Sequence, residues 1–117
     1  MAPKLEVFEV MAPVEKQFRN DKNQLHNLDG PALVLENGRQ SWFVDGFRHN
    51  PNGPAIIAAD GRKIYYLFGR RFDDIAEFNF CVKHLHCLII KYEDIEFKHS
   101  VKFHDEKIQM EYKLRFN

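Results

Sequence analysis

The chain repeats part of itself. His26-Asn27-Leu28-Asp29-Gly30-Pro31-Ala32 returns as His49-Asn50-Pro51-Asn52-Gly53-Pro54-Ala55, and the correspondence runs on past the shared Gly-Pro-Ala. Gly38 maps onto Gly61, Trp42 onto Tyr65, Phe43 onto Tyr66 and Gly46 onto Gly69, each 23 positions later. A fixed period of this length marks a repeat architecture, in which one supersecondary unit cannot bury its apolar surface alone and stacks on its neighbour.

Within each copy the order is turn, strand, turn, strand. Pro31 to Leu35 is β-prone, Asn37-Gly38 is a hairpin signal, Gln40 to Val44 returns, and Asp45-Gly46 turns again. The second copy runs through Pro54 to Ala58, Asp60-Gly61, Lys63 to Leu67 and Phe68-Gly69. Upstream, Lys16 to Leu25 reads as half of an earlier copy, with Asn23 standing where Gly46 and Gly69 stand; Asn is the usual substitute for Gly at positive φ. The expected product is an antiparallel meander of hairpins.

After Phe72 the period changes. Asp73 and Asp74 can cap a helix, and Ile75, Phe78, Val82 and Leu85 recur on one helical face, so an amphipathic helix is predicted over 73–86 with Lys83, His84 and His86 in its last turn. Cys87 to Tyr92 reads as a strand. The tail alternates strictly, with Ile95, Phe97, His99, Val101 and Phe103 followed by Ile108, Met110, Tyr112, Leu114 and Phe116, which predicts a long C-terminal β-hairpin over 95–116 that sets His99 against Tyr112. The fold class is α+β in one domain over 1–117: repeats at 18–72, a helix at 73–86, and strands with a hairpin at 87–117.

The segment from about Phe18 to Phe72 resembles the MORN-like repeats of phage and bacterial proteins, written roughly His-Arg-x-Asp-Gly-Pro-Ala, strand, Asp/Asn-Gly, Trp/Tyr-Tyr, x-x-Gly. Asn27 and Asn50 replace the arginine after the histidine, and Pro51-Asn52 departs from x-Asp, so contacts made through that arginine do not carry over. The resemblance implies a scaffold or binding surface, often in small phage proteins, and an accessory protein that docks on a host or phage protein and blocks or redirects it. Met1 to Glu6 show no apolar core of signal-peptide length, so a cytoplasmic location is expected, the host cytoplasm if the chain is phage-encoded.

Charge excludes some classes. With 17 Lys and Arg against 17 Asp and Glu there is no net field to attract nucleic acid or anionic lipid, and no stretch approaches the roughly 18 apolar residues of a membrane span. Neither serine, Ser41 or Ser100, lies in a nucleophile elbow, and the glycines lack phosphate-cradle spacing, so neither an enzyme nor a cofactor is implied. Cys81, His84, His86 and Cys87 are dense, yet one helix points them in different directions and a second ligand pair is missing, so no metal is expected. Cys81 and Cys87 read as reduced, buried small residues. His26 and His49 occupy one duplicated position, which suits a structural bond to a turn carbonyl better than catalysis.

Aromatics remain. Successive strand residues face opposite sides, so Trp42 and Tyr65 share one face and Phe43 and Tyr66 the other. With the helix covering one face, the expected protein-binding site is the face of Trp42 and Tyr65 with Arg48 and Arg62 as polar anchors. The expected partner is therefore a protein. Two alternatives are a homodimer or other self-assembly through sheet edges, and a small-ligand sensor or enzyme with a pocket near His99 and Tyr112.

Overall fold

Both repeat copies adopt one hydrogen-bond scheme. In the computed structural model, which describes residues 12–93 and 98–116, the chain runs β1 (Val14–Gln17), β2 (Leu33–Leu35), β3 (Gln40–Ser41), β4 (Phe43–Val44), β5 (Phe47–Arg48), β6 (Ile56–Ile57), β7 (Lys63–Leu67) and β8 (Arg70–Phe72). Then come α1 (Ile75–Lys83), a 3₁₀ turn (Leu85–Cys87), β9 (Leu88–Glu93), β10 (Lys98–Phe103) and α2 (Glu106–Phe116). Leu33 pairs with Ser41 and Val34 with Gln40; one copy later Ile56 pairs with Ile64 and Ile57 with Lys63. Phe43 pairs with Arg48 as Tyr66 pairs with Arg71, and Val44 with Phe47 as Leu67 with Arg70. The α+β class with an antiparallel repeat meander is what the structure has: a six-stranded sheet in the order β1-β2-β3-β6-β7-β8, with β4 and β5 forming their own hairpin beyond Trp42.

The turns follow from their residues. Asp45 and Gly46 have φ of 49° and 83°, and Phe68 and Gly69 have 50° and 84°, so each closes a two-residue loop with both positions at positive φ, which matches the right-handed strand twist. Asn23 has φ of 62°, as its alignment with Gly46 predicts. Asn37-Gly38 differs from a two-residue turn. The Leu35 amide bonds the Arg39 carbonyl at 2.9 Å around Glu36, Asn37 and Gly38, and only Gly38 has positive φ, the geometry of a three-residue loop with glycine last.

Asp74 caps α1, its Oδ1 accepting from the amides of Ala76 (2.8 Å) and Glu77 (3.4 Å), so the helix is shorter than the predicted 73–86. Its buried residues are Phe78, Phe80 and Cys81, while Ile75 is exposed, so the inward face is shifted from the predicted stripe. They join Leu67, Phe72, Cys87, Val101, Phe103 and Tyr112 in the main core.

The C-terminal hairpin is corrected. β10 pairs back onto β9, with Lys98 opposite Glu93 and Phe103 opposite Leu88, and residues 106–116 are helical. Ile108, Tyr112 and Phe116 are four apart, so they satisfy a helical face as well as strand alternation, and the structure uses the helical face to bring Tyr112 into the core. Asp105 starts the helix by accepting from the amides of Lys107 (2.9 Å) and Ile108 (3.2 Å). Met110 and Leu114, which a strand would bury beside Tyr112, are 66% and 81% exposed. The expected pairs at Ile95 and Phe97 lie outside the described residues. Among the described residues no helix is long and apolar enough to cross a membrane.

Candidate functional site

The repeat turns are held by side chains. Asn27 Nδ2 donates to the Pro31 carbonyl (3.1 Å) while its Oδ1 accepts from the Asp29 amide (3.0 Å), and Asn50 does the same with Pro54 (2.9 Å) and Asn52 (3.0 Å). The two asparagines that break the resemblance motif are thus the clamps of its turn. His26 Nδ1 accepts from the Asp45 amide and His49 Nδ1 from the Phe68 amide, each at 3.0 Å. Each histidine thus bonds a turn amide, where a turn carbonyl was the expected partner. Burial lowers the pKa of His49, in keeping with an imidazole whose Nδ1 must keep its lone pair for that amide.

This frame brings aromatic residues of successive repeats together around Arg48. The Arg48 guanidinium carbon lies 5.6 Å from the Phe43 ring centroid and 5.6 Å from that of Tyr66, so one cation joins aromatics of successive repeats. Arg71, cross-strand partner of Tyr66, extends the same row and pairs with Asp73 at 2.9 Å. Phe68 stacks on His49 with centroids 4.2 Å apart and is 41% exposed, in a left-handed conformation that a bulky side chain rarely takes. Its counterpart one repeat earlier is Asp45, the kind of residue such a turn favours.

The predicted anchor set is rearranged. Tyr65 packs into the core edge-on to Phe78, with centroids 4.9 Å apart, so it is no exposed anchor; Trp42 is half-buried. Arg48 pairs with Phe43 rather than Trp42, and Arg62 shares the parity of Tyr66 along β7, so both arginines belong to the face opposite Tyr65. They also stand at opposite ends of β7: the Arg48 carbonyl accepts from the Gly69 amide beyond its end, while Arg62 precedes its first residue. Neither sheet face is bare along its length, since Leu67 and Phe72 are buried on one and Leu35, Ser41 and Ile56 on the other. Sequence reasoning missed Phe43, Tyr66 and Phe68; the aromatic at 68, directly before a turn glycine, was the signal available.

A second polar group lies inside the core. The Tyr112 hydroxyl donates to Glu77 Oε2, and Arg70 Nη2 approaches the same oxygen at 3.4 Å, tying α2, α1 and β8 together. Burial, then the Glu77 bond, raises the Tyr112 pKa far above the ordinary phenol value. The Cys81 thiol is pushed up to about 12 by burial and then by the Glu77 carboxylate, which removes it as a nucleophile near neutrality. His99 does not face Tyr112. It lies opposite Tyr92 with ring centroids 5.1 Å apart, its pKa lowered by burial and by the charge of Arg70. Of the cysteine and histidine cluster, Cys81 and Cys87 are buried free thiols and the His84 ring packs at a tilt against Phe80, with centroids 4.7 Å apart. Among the described residues no three such side chains converge as a metal site.

Comparison with protein families, with characterised proteins and with solved structures finds no match to this chain.

Proposed function

We propose that the chain is a non-enzymatic protein-binding module whose contact surface is the aromatic and arginine row of Phe43, Arg48, Tyr66 and Arg71, with Phe68 at its tip. The observation that carries the reading is the placement of Arg48 between two half-buried rings, 5.6 Å from each. Arginine and large aromatics contribute most at interface centres because they bury wide area, and a guanidinium already held between rings loses little further freedom on docking. The strained exposed Phe68 supports the same face, because strain persists where it serves a site. The resemblance to MORN-like repeats agrees, and extends the reading to an accessory protein that blocks or redirects what it binds.

A photo-crosslinking phenylalanine analogue at position 68 tests this in an extract of the source cells. A discrete protein adduct is expected, and it should disappear in the Arg48→Glu and Tyr66→Ala variants while their melting temperatures show the fold intact. An adduct that survives both substitutions unchanged moves the surface elsewhere.

A further inference from the structure

Two Asn-Gly pairs occur in the chain, Asn37-Gly38 and Asn52-Gly53. In such a pair the glycine amide can attack the asparagine side chain before it, because glycine places no Cβ in the way of the close approach. Both asparagines are exposed, so exposure does not distinguish them. Their hydrogen bonds do. At the first pair the Gly38 amide, which would be the nucleophile, donates to the Leu35 carbonyl at 3.0 Å. The Asn37 side chain, which would be the electrophile, accepts through Oδ1 from the Arg39 amide at 2.9 Å. Both bonds lie inside the three-residue loop that the Leu35 amide and Arg39 carbonyl close, so attack there requires the loop to open.

At the second pair the turn is held by other atoms. Asn50 Oδ1 accepts from the Asn52 amide at 3.0 Å and its Nδ2 donates to the Pro54 carbonyl at 2.9 Å, so the clamp passes over Gly53 without using it. Among the described residues nothing hydrogen-bonds the Gly53 amide or the Asn52 side chain. A Cβ added at Gly53 would meet only Asn50 Nδ2, at 3.9 Å, and its φ lies outside the left-handed region, so the backbone does not require glycine there. Nucleophile and electrophile are both uncommitted in the folded turn.

We infer that Asn52 is a site of spontaneous deamidation in the folded protein, with Gly53 as its internal nucleophile, and that the fold protects Asn37. The Gly53 nitrogen bonds to Asn52 Cγ, the Cγ–Nδ2 bond breaks, and ammonia leaves carrying the amide proton. Water then opens the cyclic imide. Addition at Cγ gives aspartate; addition at the Asn52 backbone carbonyl gives isoaspartate, whose main chain runs through the side-chain carbons. The two products meet the turn differently. Asp29 holds this place in the first copy, under the same clamp from Asn27, so aspartate at 52 fits. Isoaspartate lengthens the main chain by one carbon between the Asn52 amide and the Pro54 carbonyl, the two groups that Asn50 grips. The Asn50 amide also donates to the Tyr66 carbonyl at 3.2 Å, so this product loosens the turn from β7.

The test is peptide-mapping mass spectrometry of the full chain aged at 37 °C and pH 8.5, both folded and unfolded in guanidinium chloride, with isoaspartate counted by enzymatic methylation. The unfolded rates remove the influence of neighbouring residues on each pair. Folding is expected to slow Asn37 by about tenfold or more, the scale of the two hydrogen bonds that must open, and Asn52 by less than about threefold. Gly53→Ala should keep the wild-type melting temperature and slow conversion of Asn52 in the folded chain; should that variant fail to fold, the wild-type ratios still decide. Hydrogen exchange at the Asn50 amide should rise in the isoaspartate fraction and stay at the wild-type rate in Asn52→Asp. Folding that slows Asn52 as much as Asn37, or undiminished conversion in a folded Gly53→Ala variant, would overturn the site. An isoaspartate fraction with wild-type exchange would overturn its effect on β7.

Discussion

Phe47 lies over Gly69, its Cδ1 3.1 Å from where a Cβ would stand, as Gln24 lies over Gly46 one repeat earlier with its Cβ at 3.6 Å. The residue after each left-handed turn position, Asn23 and then Gly46, thus covers the turn glycine of the next repeat, and this overlap is how one repeat seats on its neighbour. Gly61 has nothing within 4 Å of its own Cβ position, so it isolates the backbone cost.

Gly61→Ala should then destabilise by about 1–2 kcal/mol, the penalty of a left-handed L-residue. Gly69→Ala should cost more, because the Phe47 ring must also move. Chemical denaturation of both variants in wild-type and Phe47→Ala backgrounds measures the excess. It should vanish in the Phe47→Ala background; an excess that remains there means the ring does not seat on the turn.

Much of the sheet was legible because repetition fixes register: with one hairpin drawn from Leu33 to Ser41, the 23-residue offset draws the next. The tail was not legible. Ile108, Tyr112 and Phe116 fit a strand face and a helix face equally, and only the Asp105 cap and a run of good helix formers break the tie. The site was half legible for a different reason. Arg48 was placed by nearness to Trp42 along the chain, whereas the two-residue turn at Asp45-Gly46 already forces it opposite Phe43.

The C-terminal helix hangs on a polar bond as well as on packing. Tyr112→Phe keeps the ring among Phe80, Phe103 and Phe116 but removes the hydroxyl that donates to Glu77. The expected loss is about 1.5–3 kcal/mol, as for a hydrogen bond to a charged group. Hydrogen exchange should show α2 opening more readily than β7. A variant as stable as wild type would mean that α2 is held by apolar contacts alone.

His49 gives the repeat region a pH dependence of known sign. Its folded pKa lies below the ordinary value of 6.5, so the unfolded chain binds the proton more readily. The contribution is therefore complete above pH 6.5 and is lost as pH falls through the lowered folded value. Melting temperature followed down from pH 7.5 should drop through this window, with a smaller drop in His49→Gln. An identical drop in that variant would assign the effect to other groups.

Phe68 separates binding from folding. At φ of 50° a phenylalanine costs roughly 1–2 kcal/mol that asparagine largely avoids, while its contact with His49 returns about 0.5–1.5 kcal/mol. The two terms nearly cancel, so Phe68→Asn should leave stability within about 1 kcal/mol of wild type, far from the 3–5 kcal/mol of losing a core ring. If the aromatic row is the docking surface, the same variant should weaken partner capture, measured with the crosslinking probe moved to position 66. A loss above about 2 kcal/mol in denaturation would make Phe68 a structural residue. Unchanged stability with unchanged capture would leave its strain without a function and remove the tip from the proposed surface.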